Sequence, residues 1–260
     1  MTPSVNGERS GELLVVGLGP GPAQWQTPEE SEALMRATDL VGYKSYLDRC
    51  PPRDGQARHV SDNREEGGRA RHAIALAREG RTVAVVSGGD PGVFAMAAAV
   101  FEALDANQPA RDLNVTVMPG VSAMQAAAAR LGAPLGHDFC VISLSDNLKP
   151  WPLIARRLSA AADGDFVIAL YNPASKARPA QIFQAFDLLR ARKGAATPVA
   201  FARAIGRADE SIMITTLGKA DPSIADMATL VIIGSSQTRL VPRPGTTPWV
   251  YTPRSIPDGA

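Results

Sequence analysis

Leu13-Leu14-Val15-Val16 runs straight into Gly17-Leu18-Gly19-Pro20-Gly21, and this junction constrains the fold more than any other stretch of the chain. A short continuous apolar run ending in glycine reads as a strand buried on both faces, the habit of parallel sheet. A strand that exits through glycines can bring its backbone close to a ligand. The obvious rival is the dinucleotide fingerprint GxGxxG, whose third glycine runs directly into a helix. Here Pro22 occupies that third position, and the next helix signal begins only at Thr27. Pro20 and Pro22 have no N–H to offer a phosphate. Two readings stay open, the floor of a cofactor site or a plain strand-exit turn.

The pattern downstream supports an open α/β layer. Thr27-Pro28-Glu29-Glu30 supplies an N-cap, a first-turn proline and a capping-box glutamate, with Ala33, Leu34 and Ala37 inward. Strands are predicted over 39–43, 82–86 and 113–118. Helices are predicted over 64–78, 93–106 and 121–131, and 44–63 reads as irregular. This alternation of strand and helix is that of α/β proteins. The turn-rich segment 132–138 marks a hinge, so two α/β domains are expected, 11–134 and 135–254. In the second, strands are predicted over 139–144, 166–171, 199–202, 211–217 and 229–234, with helices near 152–162 and 179–190. Several of these strands follow one another directly, which predicts antiparallel or mixed pairing. The Pro-rich tail after Arg239 is expected to wrap the surface.

Composition narrows the function classes. Among 260 residues, 27 Lys and Arg nearly balance 26 Asp and Glu. No overall field favours nucleic acid or a membrane surface, so neither partner is expected. Cys50 and Cys140 form no CxxC, and His59, His72 and His137 are scattered, so no metal site is readable. Two reduced thiols, a polar N-terminus and no apolar run of membrane-spanning length point to the cytoplasm. No Gly-x-Ser-x-Gly or Cys–His arrangement suggests covalent catalysis.

Two further glycine loops sit at predicted strand ends, where ligands bind in open α/β sheets. One is Ser87-Gly88-Gly89-Asp90-Pro91-Gly92, in which Asp90 either accepts bonds from an ammonium or hydroxyl group or caps the next helix. The other is Pro119-Gly120-Val121-Ser122-Ala123, where Ser122 is a site residue or a cap. Three such loops point to one rim. Polar stretches at 61–66, 143–151 and 171–179 mix basic side chains with amides and hydroxyls. They suit either the grip of several carboxylates or ordinary solvated loops.

These loops, with Gly42-Tyr43, Tyr46-Leu47-Asp48-Arg49, SLSDNLKPW at 143–151, YNPASKARP at 171–179, Ala204-Ile205-Gly206-Arg207 and Tyr251-Thr252-Pro253-Arg254, resemble the tetrapyrrole (corrin and porphyrin) methylase family from about Gly11 to Arg254. Within it, the nearest likeness is to members that methylate C17 of a cobalamin precursor and contract its ring. The resemblance implies two α/β domains with S-adenosylmethionine in the cleft between them, a tetrapyrrole substrate and a homodimer. It assigns methyl-donor contacts to Pro20, Gly88, Gly89, Asp90, Val93, Ser122, Ala123, Tyr171, Asn172 and Ala200. Asp146, Lys149, Lys176 and Arg178 are the candidates for binding substrate carboxylates or assisting the rearrangement.

Overall fold

The structure, a computed structural model, describes residues 11–62 and 65–255. It divides into two compact units, one up to Ser122 and one from Ala123 onward. The division falls ahead of the turn-rich 132–138 segment, part of which pairs with the last of the described strands.

In the first unit the described strands are β1 (Glu12–Gly17), β2 (Asp39–Tyr43), β3 (Ala57–Ser61), β4 (Thr82–Ser87) and β5 (Asn114–Met118). They form one sheet in the order β3-β2-β4-β1-β5, with every pairing parallel. Parallel strands need crossovers, and α1 (Pro28–Arg36), α3 (Glu66–Arg78) and α4 (Met96–Asp105) supply helical ones. Layers on both faces explain why Leu13 to Val16 and Val83 to Val86 are all buried. Leu13, Val15, Val83 and Val85 face α3 and α4, whereas Leu14, Val16, Ala84 and Val86 face α1.

Several expectations need correction here. The span 44–63 is not irregular: it holds the short helix α2 (Lys44–Leu47) and the edge strand β3. Ala57-Arg58-His59-Val60-Ser61 is polar because an edge strand is covered on one side only. The helix expected from Val93 begins at Met96, because Phe94 takes a left-handed backbone, φ 53°, that no helix accommodates. The helix expected from residue 64 has its described start at Glu66; Asn63 and Arg64 lie outside the described residues.

The second unit opens with α5 (Ala123–Leu131), followed by the two-residue strand β6 (Gly132–Ala133). Then come β7 (Phe139–Ser143), α6 (Trp151–Asp163), β8 (Val167–Tyr171), α7 (Gln181–Arg190), β9 (Pro198–Arg203), β10 (Ser211–Thr216) and β11 (Thr229–Ile233). Its main sheet runs β10-β9-β11-β8-β7, parallel only between β7 and β8. The mixed pairing follows from strands joined without an intervening helix. The core beneath α6 and α7 gathers Leu144, Ile154, Leu158, Ile168, Leu170, Phe186 and Phe201. The tail does not simply wrap the surface: β12 (Arg239–Val241) and β13 (Trp249–Tyr251) pair with each other, and β13 pairs with β6.

Candidate active site

All strands of the first sheet end on one edge, and there the three glycine loops are bonded to one another. Leu18 N–H donates to Ser87 O at 2.8 Å. Gly19 and Gly89 exchange both backbone bonds, at 3.1 and 2.9 Å, across a two-loop bridge. Both are left-handed, with φ of 62° and 68°, which glycine adopts without steric cost. Gly120 comes so close that a Cβ there would meet Gly89 O at 2.4 Å and Gly17 O at 2.5 Å. The rim anticipated from three separate motifs is thus a single packed surface in the first unit.

Asp90 is the clip that holds it. Its Oδ1 accepts from Gly92 N–H at 2.8 Å and its Oδ2 from Gly120 N–H at 3.1 Å. Of the two readings left open for Asp90, the helix cap is overturned, since α4 starts at Met96. Its carboxylate is committed to backbone that joins the second loop to the third. Gly88 packs on the Tyr46 ring, where a Cβ would lie 2.6 Å from Cε1. Pro20 and Ser122 are buried, and Val93 is half-buried beside the strained Phe94. Tyr46 received no role from the sequence, although it stands in a stretch that carries the family likeness.

The second unit gathers its own polar cluster at the ends of β7 and β8. Asn172 is left-handed, φ 51°, and its Nδ2 donates to the buried Ser143 Oγ at 2.9 Å. Arg178 is buried, with Nη1 reaching Leu144 O and Asn172 O at 3.4 Å each and Nε 4.0 Å from Asp146 Oδ1. Asp146 Oδ2 accepts from Gln181 Nε2 at 2.8 Å. Asp146 and Arg178 therefore tie the 143–151 and 171–179 stretches together. Ser143 opens the SLSDNLKPW stretch, whereas Gln181 completes the cluster without any sequence signal, because its partner Asp146 lies far back in the chain.

The remaining candidates are more dispersed. Lys176 is exposed at a tight turn closed by Ser175 and Arg178. Lys149 is half-buried, and burial, reinforced by Arg157, lowers its pKa. Tyr171 OH accepts from Met124 N–H at 2.9 Å, so the end of β8 caps the first turn of α5 beside Ala123. Ala200 sits mid-strand in β9, buried between Ile214 and Ile232. No group of three His, Cys, Asp or Glu among the described residues is placed to hold a metal. No described helix is long and apolar enough to cross a membrane.

This fold and these loops define a methylase: the chain belongs to the tetrapyrrole (corrin/porphyrin) methylases, whose family model matches residues 12–221. It is 58% identical to precorrin-3B C(17)-methyltransferase of a Sinorhizobium species, over 94% of this chain and 97% of that protein. It is 43% identical to a probable cobalt-factor III C(17)-methyltransferase of Salmonella typhimurium, over 92% and 99% of the respective chains. Among solved structures, the methyltransferase CobJ superposes with a TM-score of 0.90 at 50% identity, over 94% of this chain and all of that one.

Proposed function

We propose that the protein transfers a methyl group from S-adenosylmethionine to C17 of precorrin-3B and contracts the ring to give precorrin-4, a step of cobalamin biosynthesis. The observation that carries this reading is 58% identity, across nearly the full length of both chains, to a protein named for that C17 transfer. The lower identity to the cobalt-factor relative favours the metal-free substrate over a cobalt-bearing one.

The first unit's rim suits the methyl donor. Its loops lack N–H groups at Pro20, Pro22 and Pro91, and the Asp90 carboxylate is already bonded. Such a surface offers a poor pyrophosphate cradle but accepts a ligand without phosphate. Pro20, Gly88, Gly89, Asp90 and Val93 of that rim, with Ser122, Ala123, Tyr171, Asn172 and Ala200, would hold the donor. Its sulfonium supplies an activated methyl: the S–CH₃ bond breaks as the carbon–carbon bond forms, and the sulfur leaves as a neutral thioether.

The chain's own contribution is then chiefly to orient the two reactants and exclude water. Rearrangement also needs proton movement. Lys149, half-buried, and Lys176, exposed, are the candidates for that proton movement and for gripping a substrate carboxylate. Asp146 and Arg178 hold these loops in shape. A cytoplasmic homodimer completes the reading, to be checked by sedimentation. Calorimetry with S-adenosylmethionine and with NAD tests the donor: binding of the first alone is expected, and binding of NAD alone would overturn it.

A further inference from the structure

Glu30 lies in the first turn of α1, three residues before Ala33 and on the same inward face. It is completely buried, and neither carboxyl oxygen meets a partner in good hydrogen-bond geometry, although the Thr27 N–H and the Gln26 side chain lie close enough to favour its charge weakly. Ala33, on that same face, packs in the apolar group that includes Leu14, Val16, Leu18 and Leu47. Thr27, Gln26 and Arg49 offset the burial only in part. A buried carboxyl so weakly satisfied is costly and calls for an explanation.

Arg49, just beyond α2, faces this carboxyl and grips the loop itself. Its Nη2 donates to Leu18 O at 2.5 Å and to Gly21 O at 3.3 Å, and its Nη1 to Gly19 O at 3.0 Å. One planar guanidinium spanning three carbonyls fixes the curvature of the loop. Gly19 in turn pairs with Gly89, so the shape is passed to the second loop.

We propose that Arg49 and Glu30 are positioning residues for the methyl-donor site: Arg49 sets the first glycine loop from behind, and the buried Glu30 carboxyl beside it governs how fully Arg49 is committed to the loop carbonyls. The proposal rests on the reading that this rim holds S-adenosylmethionine. A charged Glu30 would compete for Arg49 and loosen the loop. Burial brings its pKa to about 7, so the competition begins near neutrality. The other groups facing this pair are Cys50, whose thiol burial pushes up to about 11, and Arg58, which faces Cys50 from β3. Donor affinity therefore falls as pH rises above 7.

The test is calorimetry of S-adenosylmethionine binding, with KM and kcat, for wild type, Arg49→Ala, Arg49→Lys and Glu30→Gln between about pH 6 and 9. Arg49→Ala should weaken donor binding roughly 10- to 100-fold while kcat at saturating donor changes little. Arg49→Lys should fall between, and it carries the test if the alanine variant does not fold. Glu30→Gln should abolish the loss of affinity above pH 7. Unchanged donor affinity in both Arg49 variants, or wild-type pH dependence in Glu30→Gln, overturns this inference alone. Wild type that binds no S-adenosylmethionine at any pH overturns the donor reading and this inference with it.

Discussion

Replacing Gly120 by alanine should pry the three loops apart, and the geometry sets the size of the effect. The new Cβ would lie 2.4 Å from Gly89 O and 2.5 Å from Gly17 O, where ordinary contact begins at 3.4 Å. Both oxygens belong to backbone, so no rotamer change relieves the overlap. The loops must separate by about 1 Å, a strain typically costing about 1–3 kcal/mol. Gly89 O also accepts from Gly19 N–H, and weakening that bond adds about 1 kcal/mol. Gly120→Ala is thus expected to destabilise the protein by about 2–4 kcal/mol in urea unfolding, and a 1 Å displacement at the rim costs roughly 10- to 100-fold in donor affinity. Gly68→Ala is the internal control. Gly68 lies within α3, exposed, with nothing within 4 Å of its added Cβ. There the same substitution should stabilise by about 0.5–1 kcal/mol. Equal stability and donor affinity of Gly120→Ala and wild type would refute the reasoning.

Two further outcomes follow from individual side chains. Burial raises the Glu30 carboxyl from 4.5 to about 7, so the folded chain keeps a proton that the unfolded chain releases. Its stability contribution is full on the acid side and is lost as pH rises from 4.5 to about 7. Glu30→Gln should therefore gain up to about 3 kcal/mol at pH 8 relative to its effect at pH 4, and urea midpoints equally shifted at both would contradict this. Asn172→Ala forfeits both the left-handed tolerance of asparagine and the bond to Ser143, and should cost about 1–2 kcal/mol. Asn172→Gly keeps the backbone freedom and should cost less by the same unfolding measurement.

The parallel sheet was legible because its central strands are continuously apolar: β2 lies at 39–43 as expected, and β4 extends the expected 82–86 by one residue. β3 was hidden by its polar edge composition, and α2 by its brevity. Met96 rather than Val93 starts α4 because of the backbone of Phe94, which hydrophobic periodicity does not report. Glycine loops were legible as a rim because close backbone approach demands glycine locally. The bonds of Asp90, Arg178, Gln181 and Arg49 were not, since each joins segments far apart in the chain. Asp146 and Arg178 were legible only as candidates to meet the substrate; that they also lie 4.0 Å from each other at the ends of β7 and β8 was not.

The central claim is methyl transfer from S-adenosylmethionine to C17 of precorrin-3B. It is tested most directly by incubating the protein with both compounds and with the cobalt-bearing counterpart in competition, then recording product mass and the position of the new methyl group. The account predicts one methyl group added at C17 of the metal-free substrate, a contracted ring, and slower turnover of the cobalt form. Methylation at another carbon, or turnover confined to the cobalt-bearing substrate, would contradict it.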